Sequence, residues 1–210
     1  MEFRAVIFDL DGVICSTDRY HYIAWKQIAD SLGVYFDEVI NNRLRGVSRM
    51  ESLEIILERY DGDLNAEEKI KLAEEKNVIY KDFLKKMSEK DLEQEVKNTL
   101  DILRGQGIKM AIGSSSKNAK YILKQIGLSN YFDAVSDGTN ISKAKPDPEV
   151  FIKAAQFLKM KETECLVVED AKAGVLAAYN GGFKSAGLGE AADSELVTYP
   201  LKTFSDLLNL

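Results

Sequence analysis

Two aspartates, Asp9 and Asp11, stand two residues apart at the end of the apolar run Ala5-Val6-Ile7-Phe8, and Gly12 follows them directly. Carboxylates can act as nucleophiles, as proton carriers and as ligands for hard cations. In an extended stretch, residues two apart share a face, so both groups can address one reacting centre. That arrangement suits phosphoryl transfer, with Asp9 as the nucleophile that forms an aspartyl-phosphate and Asp11 as the acid and base serving the substrate oxygen. Taken alone, Asp-x-Asp-Gly suits an ordinary turn or a calcium loop equally well.

Further along the chain, polar residues again stand where strand-like runs end. Ser114 follows Ile108-Lys109-Met110-Ala111-Ile112-Gly113, Lys145 precedes Pro146, and Glu169-Asp170 closes Cys165-Leu166-Val167-Val168. A carboxylate nucleophile and a phosphoryl group carry like charge, so a cation must hold them together. Magnesium suits a set of hard oxygens, and Asp9, Glu169, Asp170 and the backbone carbonyl of Asp11 could supply them. Ser114 and Lys145 would then hold the equatorial oxygens of the transferring group, where most of its charge lies in the transition state. The turn Ser114-Ser115-Ser116-Lys117-Asn118 carries backbone N–H groups that favour an anion.

The elements that must position these groups can be read from periodicity. From Val96 onward helix and strand alternate, with helices expected over 96–105, 117–126, 147–159 and 171–180 and strands near 108–113, 132–136, 165–169 and 183–187. That alternation predicts right-handed crossovers and a parallel sheet. Between the first strand and that region, residues 17–91 carry no convincing strand. His21 to Ala29 has apolar residues at helical spacing, Ser52 to Glu58 reads as a second helix, and Asn65-Ala66-Glu67-Glu68 opens a third with a capping residue. The expected fold is α/β: a Rossmann-like parallel-sheet core over residues 1–16 and 92–210, with an inserted α-helical cap domain over 17–91.

Asp9-x-Asp11, Ser114, Lys145 and Glu169-Asp170, in that order, resemble the motifs of the haloacid dehalogenase-like superfamily. The resemblance implies a Mg2+ enzyme in which Asp9 is the nucleophile, Asp11 the acid and base, Ser114 and Lys145 the phosphoryl anchors, and Asp9, Asp11, Glu169 and Asp170 the metal ligands. Asp11 points to C–O–P chemistry, because the superfamily's dehalogenases and phosphonatases lack an aspartate there. The stretch Arg45-Gly46-Val47-Ser48-Arg49-Met50-Glu51-Ser52, with His21-x-x-Ala24-Trp25, Lys76-Asn77 and Ser116-Lys117-Asn118, resembles the β-phosphoglucomutase branch. By that likeness Arg49, Ser116, Lys117 and Asn118 bind the non-transferring phosphate, and Gly46, Val47, Ser52 and Lys76 surround the sugar. His21 links cap closure to Asp11 or, on its own spacing, simply covers apolar surface, and Trp25 one turn later packs beside it. Two departures fall at the expected hinge: Ser16 replaces the usual aspartate, and 91–96 lacks the usual Pro-Gly.

Composition narrows the partners. Over 210 residues, 45% are hydrophobic and 30% charged, and the net charge of −6 leaves no basic stripe for nucleic acid. No apolar stretch reaches the length of a membrane span, and no signal-peptide pattern opens the chain, so a cytoplasmic protein is expected. With one histidine and two cysteines, Cys15 and Cys165, neither a zinc site nor a disulfide framework is indicated. The expected activity is interconversion of β-glucose 1-phosphate and glucose 6-phosphate through a bisphosphate by a monomer acting on a small sugar phosphate, with a sugar-phosphate phosphatase as the alternative.

Overall fold

A computed structural model describes residues 2–210. Strands β1 (Ala5–Phe8), β2 (Lys109–Gly113), β3 (Ala134–Ser136), β4 (Cys165–Glu169), β5 (Lys184–Gly187) and β6 (Tyr199–Pro200) form one parallel sheet in the order β3-β2-β1-β4-β5-β6. β1 is buried at every position, as a central strand covered on both faces must be. Its side chains alternate between two cores. Val6 and Phe8 join Met110, Ile112, Leu166 and Val168 on one face, while Ala5 and Ile7 join Ala111, Cys165 and Val167 on the other.

Helices α5 (Gln94–Gly105), α6 (Ala119–Gln125), α7 (Glu149–Leu158) and α8 (Lys172–Asn180) carry the chain between the later strands. β1 pairs with β2 on one side and β4 on the other, so the chain first winds outward to β3 and then returns to build the opposite half. The loops after β1, β2 and β4 therefore meet outside the carboxyl ends of the strands, where open α/β sheets bind ligands.

Between β1 and β2 lie α1 (Asp18–Ser31), α2 (Glu38–Asn42), α3 (Arg49–Leu57) and α4 (Ala66–Leu84). This insert has an apolar cluster of its own, in which Trp25, Ile28, Phe36, Leu53 and Ile56 are buried together. It also roots in the sheet's core, since Ala24 of α1 and Tyr80 and Leu84 of α4 belong to the cluster around Phe8. Two reciprocal caps set its helix starts. Asn65 accepts from the Glu68 N–H while Glu68 takes the Asn65 N–H, as the sequence leads one to expect.

Ser48 and Glu51 form the same box, which starts α3 at Arg49 and not near Ser52. Arg49 and Ser52 are thus helix residues, and only Arg45 to Ser48 remain a loop. Two short elements lie outside the sequence reading: α2, five residues capped by Asp37, and β6, two residues. Neither is long enough to show a period. Cys15 and Cys165 are both buried free thiols. Among the described residues, no helix is long and apolar enough to cross a membrane.

Candidate active site

The strand ends hold the acidic centre. Asp9 follows β1 directly, and its N–H donates to the Val168 carbonyl at 2.9 Å, which ties it to β4. Glu169 closes β4, where its Oε2 accepts the N–H groups of Asp170 and Ala171 at 3.1 Å each. The Lys145 ammonium, buried to 1% exposure, lies 2.5 Å from Asp9 Oδ1, donates also to Glu169 Oε1, and stands over the Phe151 ring. Burial on its own would lower the Lys145 pKa, but Asp9 and Glu169 outweigh it and hold the ammonium charged. Ser114 follows β2 directly, with its N–H on the Ser136 carbonyl at 3.1 Å.

Asp9, Glu169 and Asp170 each offer a carboxylate oxygen within 4.8 Å of the others. Burial pushes Glu169 up against the lowering effect of Lys145, and burial with the neighbouring carboxylates of Glu169, Asp9 and Asp11 pushes Asp170 up, as expected of acids gathered for a cation. Gly12 makes room for them. It has φ +87°, and a Cβ there would stand 2.0 Å from Asp170 Oδ2. A confined, purely oxygen donor set of this kind fits magnesium.

Asp11 faces a different set of partners. Its Oδ1 accepts the Thr17 N–H and its Oδ2 the Thr17 hydroxyl, both at 2.6 Å, and that hydroxyl also bonds Tyr80 Oη at 2.8 Å. Burial raises the Asp11 pKa to about 6, against the lowering effect of the Thr17 bonds. His21 Nε2 lies 3.6 Å from Asp11 Oδ2, and its Nδ1 is 2.8 Å from Lys76 Nζ. An ammonium can only donate, so a protonated Lys76 fixes the ring proton on Nε2, toward Asp11. Burial pushes both Lys76 and His21 well down, and Arg49 adds to this in each case. The faces of Trp25 and Tyr80 receive Lys76 Nζ at 4.9 and 4.5 Å. Trp25 itself is 1% exposed and packs as expected.

A cleft of about 800 Å³ runs from this centre to the insert. All of the sequence-predicted residues line it: Gly46 and Val47 from the α2–α3 loop, Ser52 and Lys76 from the helices, Ser116 and Lys117 from the core turn. Where insert and core face one another across it, Arg49 Nη2 donates to Asn77 Oδ1 at 2.9 Å, and Asn118 Nδ2 donates to the same oxygen at 3.0 Å. Asn77 thereby joins insert to core. Within the turn the serine hydroxyls take up local N–H groups, Ser114 Oγ that of Ser116 and Ser116 Oγ that of Asn118.

Thr17, Tyr80 and Arg45 are contacts the sequence reading did not assign. Tyr80 lies one turn after Lys76, and that i, i+4 spacing was the available signal.

Residues 3–182 match the haloacid dehalogenase-like hydrolase family. The chain belongs to that family. It is 40% identical over 190 residues to a β-phosphoglucomutase of Bacillus subtilis, covering 89% of this chain and 84% of the relative. It is also 30% identical over 184 residues to a phosphorylated carbohydrates phosphatase of Thermotoga maritima, covering 86% and 82%. A crystal structure of β-phosphoglucomutase from Clostridium difficile superposes with a TM-score of 0.91 at 35% identity, over 98% of this chain and 93% of that one. The haloacid dehalogenase-like fold is thus shared along nearly the whole chain, while relatives of both reaction types stand beside it.

Proposed function

We propose that the protein is a magnesium-dependent β-phosphoglucomutase that interconverts β-D-glucose 1-phosphate and glucose 6-phosphate. The observation that carries this reading is that one cleft is lined by two sets of phosphate-binding side chains. One set is Asp9, Ser114 and Lys145, and the other is Arg49, Lys117 and Asn118, which would let a sugar with two phosphates be gripped both ways round. A phosphatase needs only the first set. The insert over 17–91 acts as a cap and the remainder as the catalytic core.

Asp9, Glu169, Asp170 and the Asp11 carbonyl would hold Mg2+, which when bound offsets the repulsion between carboxylate and phosphoryl group. Starting from phosphorylated Asp9, Asp11 takes the proton of the sugar 6-hydroxyl as its oxygen bonds to phosphorus and the Asp9–phosphorus bond breaks. The resulting bisphosphate turns end for end. Its 1-phosphoryl group then passes to Asp9, while Asp11 returns the proton to the departing O1. Asp11 must leave Thr17 to do this, and His21, held by Lys76, faces it on that path. Lys145 and Ser114 hold the phosphoryl oxygens, and Arg49 and Asn118 hold the idle phosphate.

Phosphorus NMR of β-glucose 1-phosphate with Mg2+ and a trace of bisphosphate tests the reading. Glucose 6-phosphate should accumulate with little inorganic phosphate. Stoichiometric phosphate release would instead assign the chain to the phosphatases, the activity of its 30% identical relative.

A further inference from the structure

Arg45 stands where the insert touches the core. The next residue, Gly46, has φ +76°, and a Cβ there would lie 3.5 Å from the Ala171 side chain and 3.4 Å from that of Ala173. That close approach brings the Arg45 guanidinium among acids from separate segments. Its Nη2 donates to Asp18 Oδ2 at 2.9 Å, and Asp18 Oδ1 accepts from Asn41 Nδ2 at 3.1 Å. Its Nη1 lies 3.9 Å from Asp170 Oδ2, and Glu190 faces it from the core. The Nε atom is buried without a hydrogen-bond partner. Charge, more than a filled donor set, therefore holds the side chain there.

We infer that Arg45 is a positioning residue that competes with the bound cation for Asp170 and thereby couples closure of the insert to the charge of the metal site. This rests on the reading of Asp9, Glu169 and Asp170 as the magnesium ligands. In the cation-free site Arg45 is attracted by Asp170 and draws its loop onto the core. A divalent cation on Asp170 turns that attraction into repulsion. A bound phosphate returns negative charge and draws the loop back, so closure answers to cation and phosphate together. Coupling is reciprocal: if the cation loosens Arg45, Arg45 must weaken cation binding by the same factor.

Calorimetric titration of the substrate-free protein with magnesium chloride tests this. Arg45→Met should bind Mg2+ about fivefold tighter or more, at the lower end of usual coupling between sites. Raising the salt should narrow the gap, because the pair is partly open to solvent. Arg45→Lys keeps the charge and should stay near wild type. Asp18→Asn removes the acid that draws Arg45 away from Asp170 and should weaken Mg2+ binding, a shift of opposite sign that general loosening of the fold would not produce. Equal or weaker binding by Arg45→Met, with wild type still binding, overturns the inference alone. Absence of Mg2+ binding in every protein overturns it together with the metal reading beneath it.

Discussion

The core and insert sides of the cleft are built by different means. On the core side Asp9, Ser114 and Glu169 sit at the tips of buried parallel strands, their backbones tied by the ladder, and only Lys145 reaches in from a loop. On the insert side Arg49, Ser52 and Lys76 project from helices, and Asn77 alone bridges Arg49 to the core's Asn118. A strand tip places a carboxylate with little freedom, which suits bond making. Helices joined to the core by side chains and not by a backbone ladder can shift as a body, which suits admitting, turning and releasing a substrate.

If that contrast is right, damage to the core side should abolish chemistry, and damage to the insert side should redistribute it. Asp9→Asn should show the largest effect, with loss of nearly all turnover in a folded protein, because an amide cannot form the acyl-phosphate. Circular dichroism with a discontinuous turnover assay checks this, and substantial residual turnover would remove the covalent step. Asp11→Asn should fall about 10²–10⁴-fold, the usual worth of a positioned acid and base. A near wild-type rate would mean that another group moves the proton.

The same contrast explains what the sequence made legible. Asp9, Ser114 and Glu169 each stand at the end of a short run buried along all or most of its length, and such runs are visible as stretches of mainly apolar letters. The parallel sheet follows from their alternation with helices. The Thr17–Tyr80 bond spans 63 residues, and the Arg45–Asp18 pair spans 27. The spacing from Lys76 places Tyr80 on the right helix face, but neither pairing is itself written in a local motif, because each depends on how α1, α4 and the α2–α3 loop meet in space. The start of α3 was knowable, since Ser48-x-x-Glu51 is a capping box.

Arg49→Ala probes the insert side more finely. The phosphoenzyme should still form, since Asp9, Asp11, Glu169 and Asp170 are untouched. Loss of a charge-assisted contact costs about 1.5–3 kcal/mol, so isomerisation should fall roughly 10- to 100-fold. Phosphate release should fall much less, or rise as the insert closes less firmly. Parallel assays of both products decide it: an equal drop in both, or none in either, would falsify the role given to Arg49.

The smallest expected effect lies in stability and concerns Asp11, which stands where the two sides meet. Burial raises its pKa from 3.8 to about 6. The folded state therefore holds that proton more tightly than the unfolded chain does, and the stability it confers is full below about pH 4. It is lost as the pH climbs through about 6. Asparagine can keep the Thr17 contacts while carrying no charge, so Asp11→Asn should be spared that loss. In chelator buffer the variant should match wild type near pH 4, gain on it between about pH 4 and 6, and stay ahead by a constant margin above. The full shift is too large a guide, because the carboxylate side chain is 31% exposed, so a margin of about 1 kcal/mol is expected. Glu169 and Asp170 titrate in both proteins and largely cancel in the comparison. Urea midpoints at half-unit pH steps measure the difference, and a margin that does not change with pH would mean that Asp11 is not desolvated by the closed seam between insert and core.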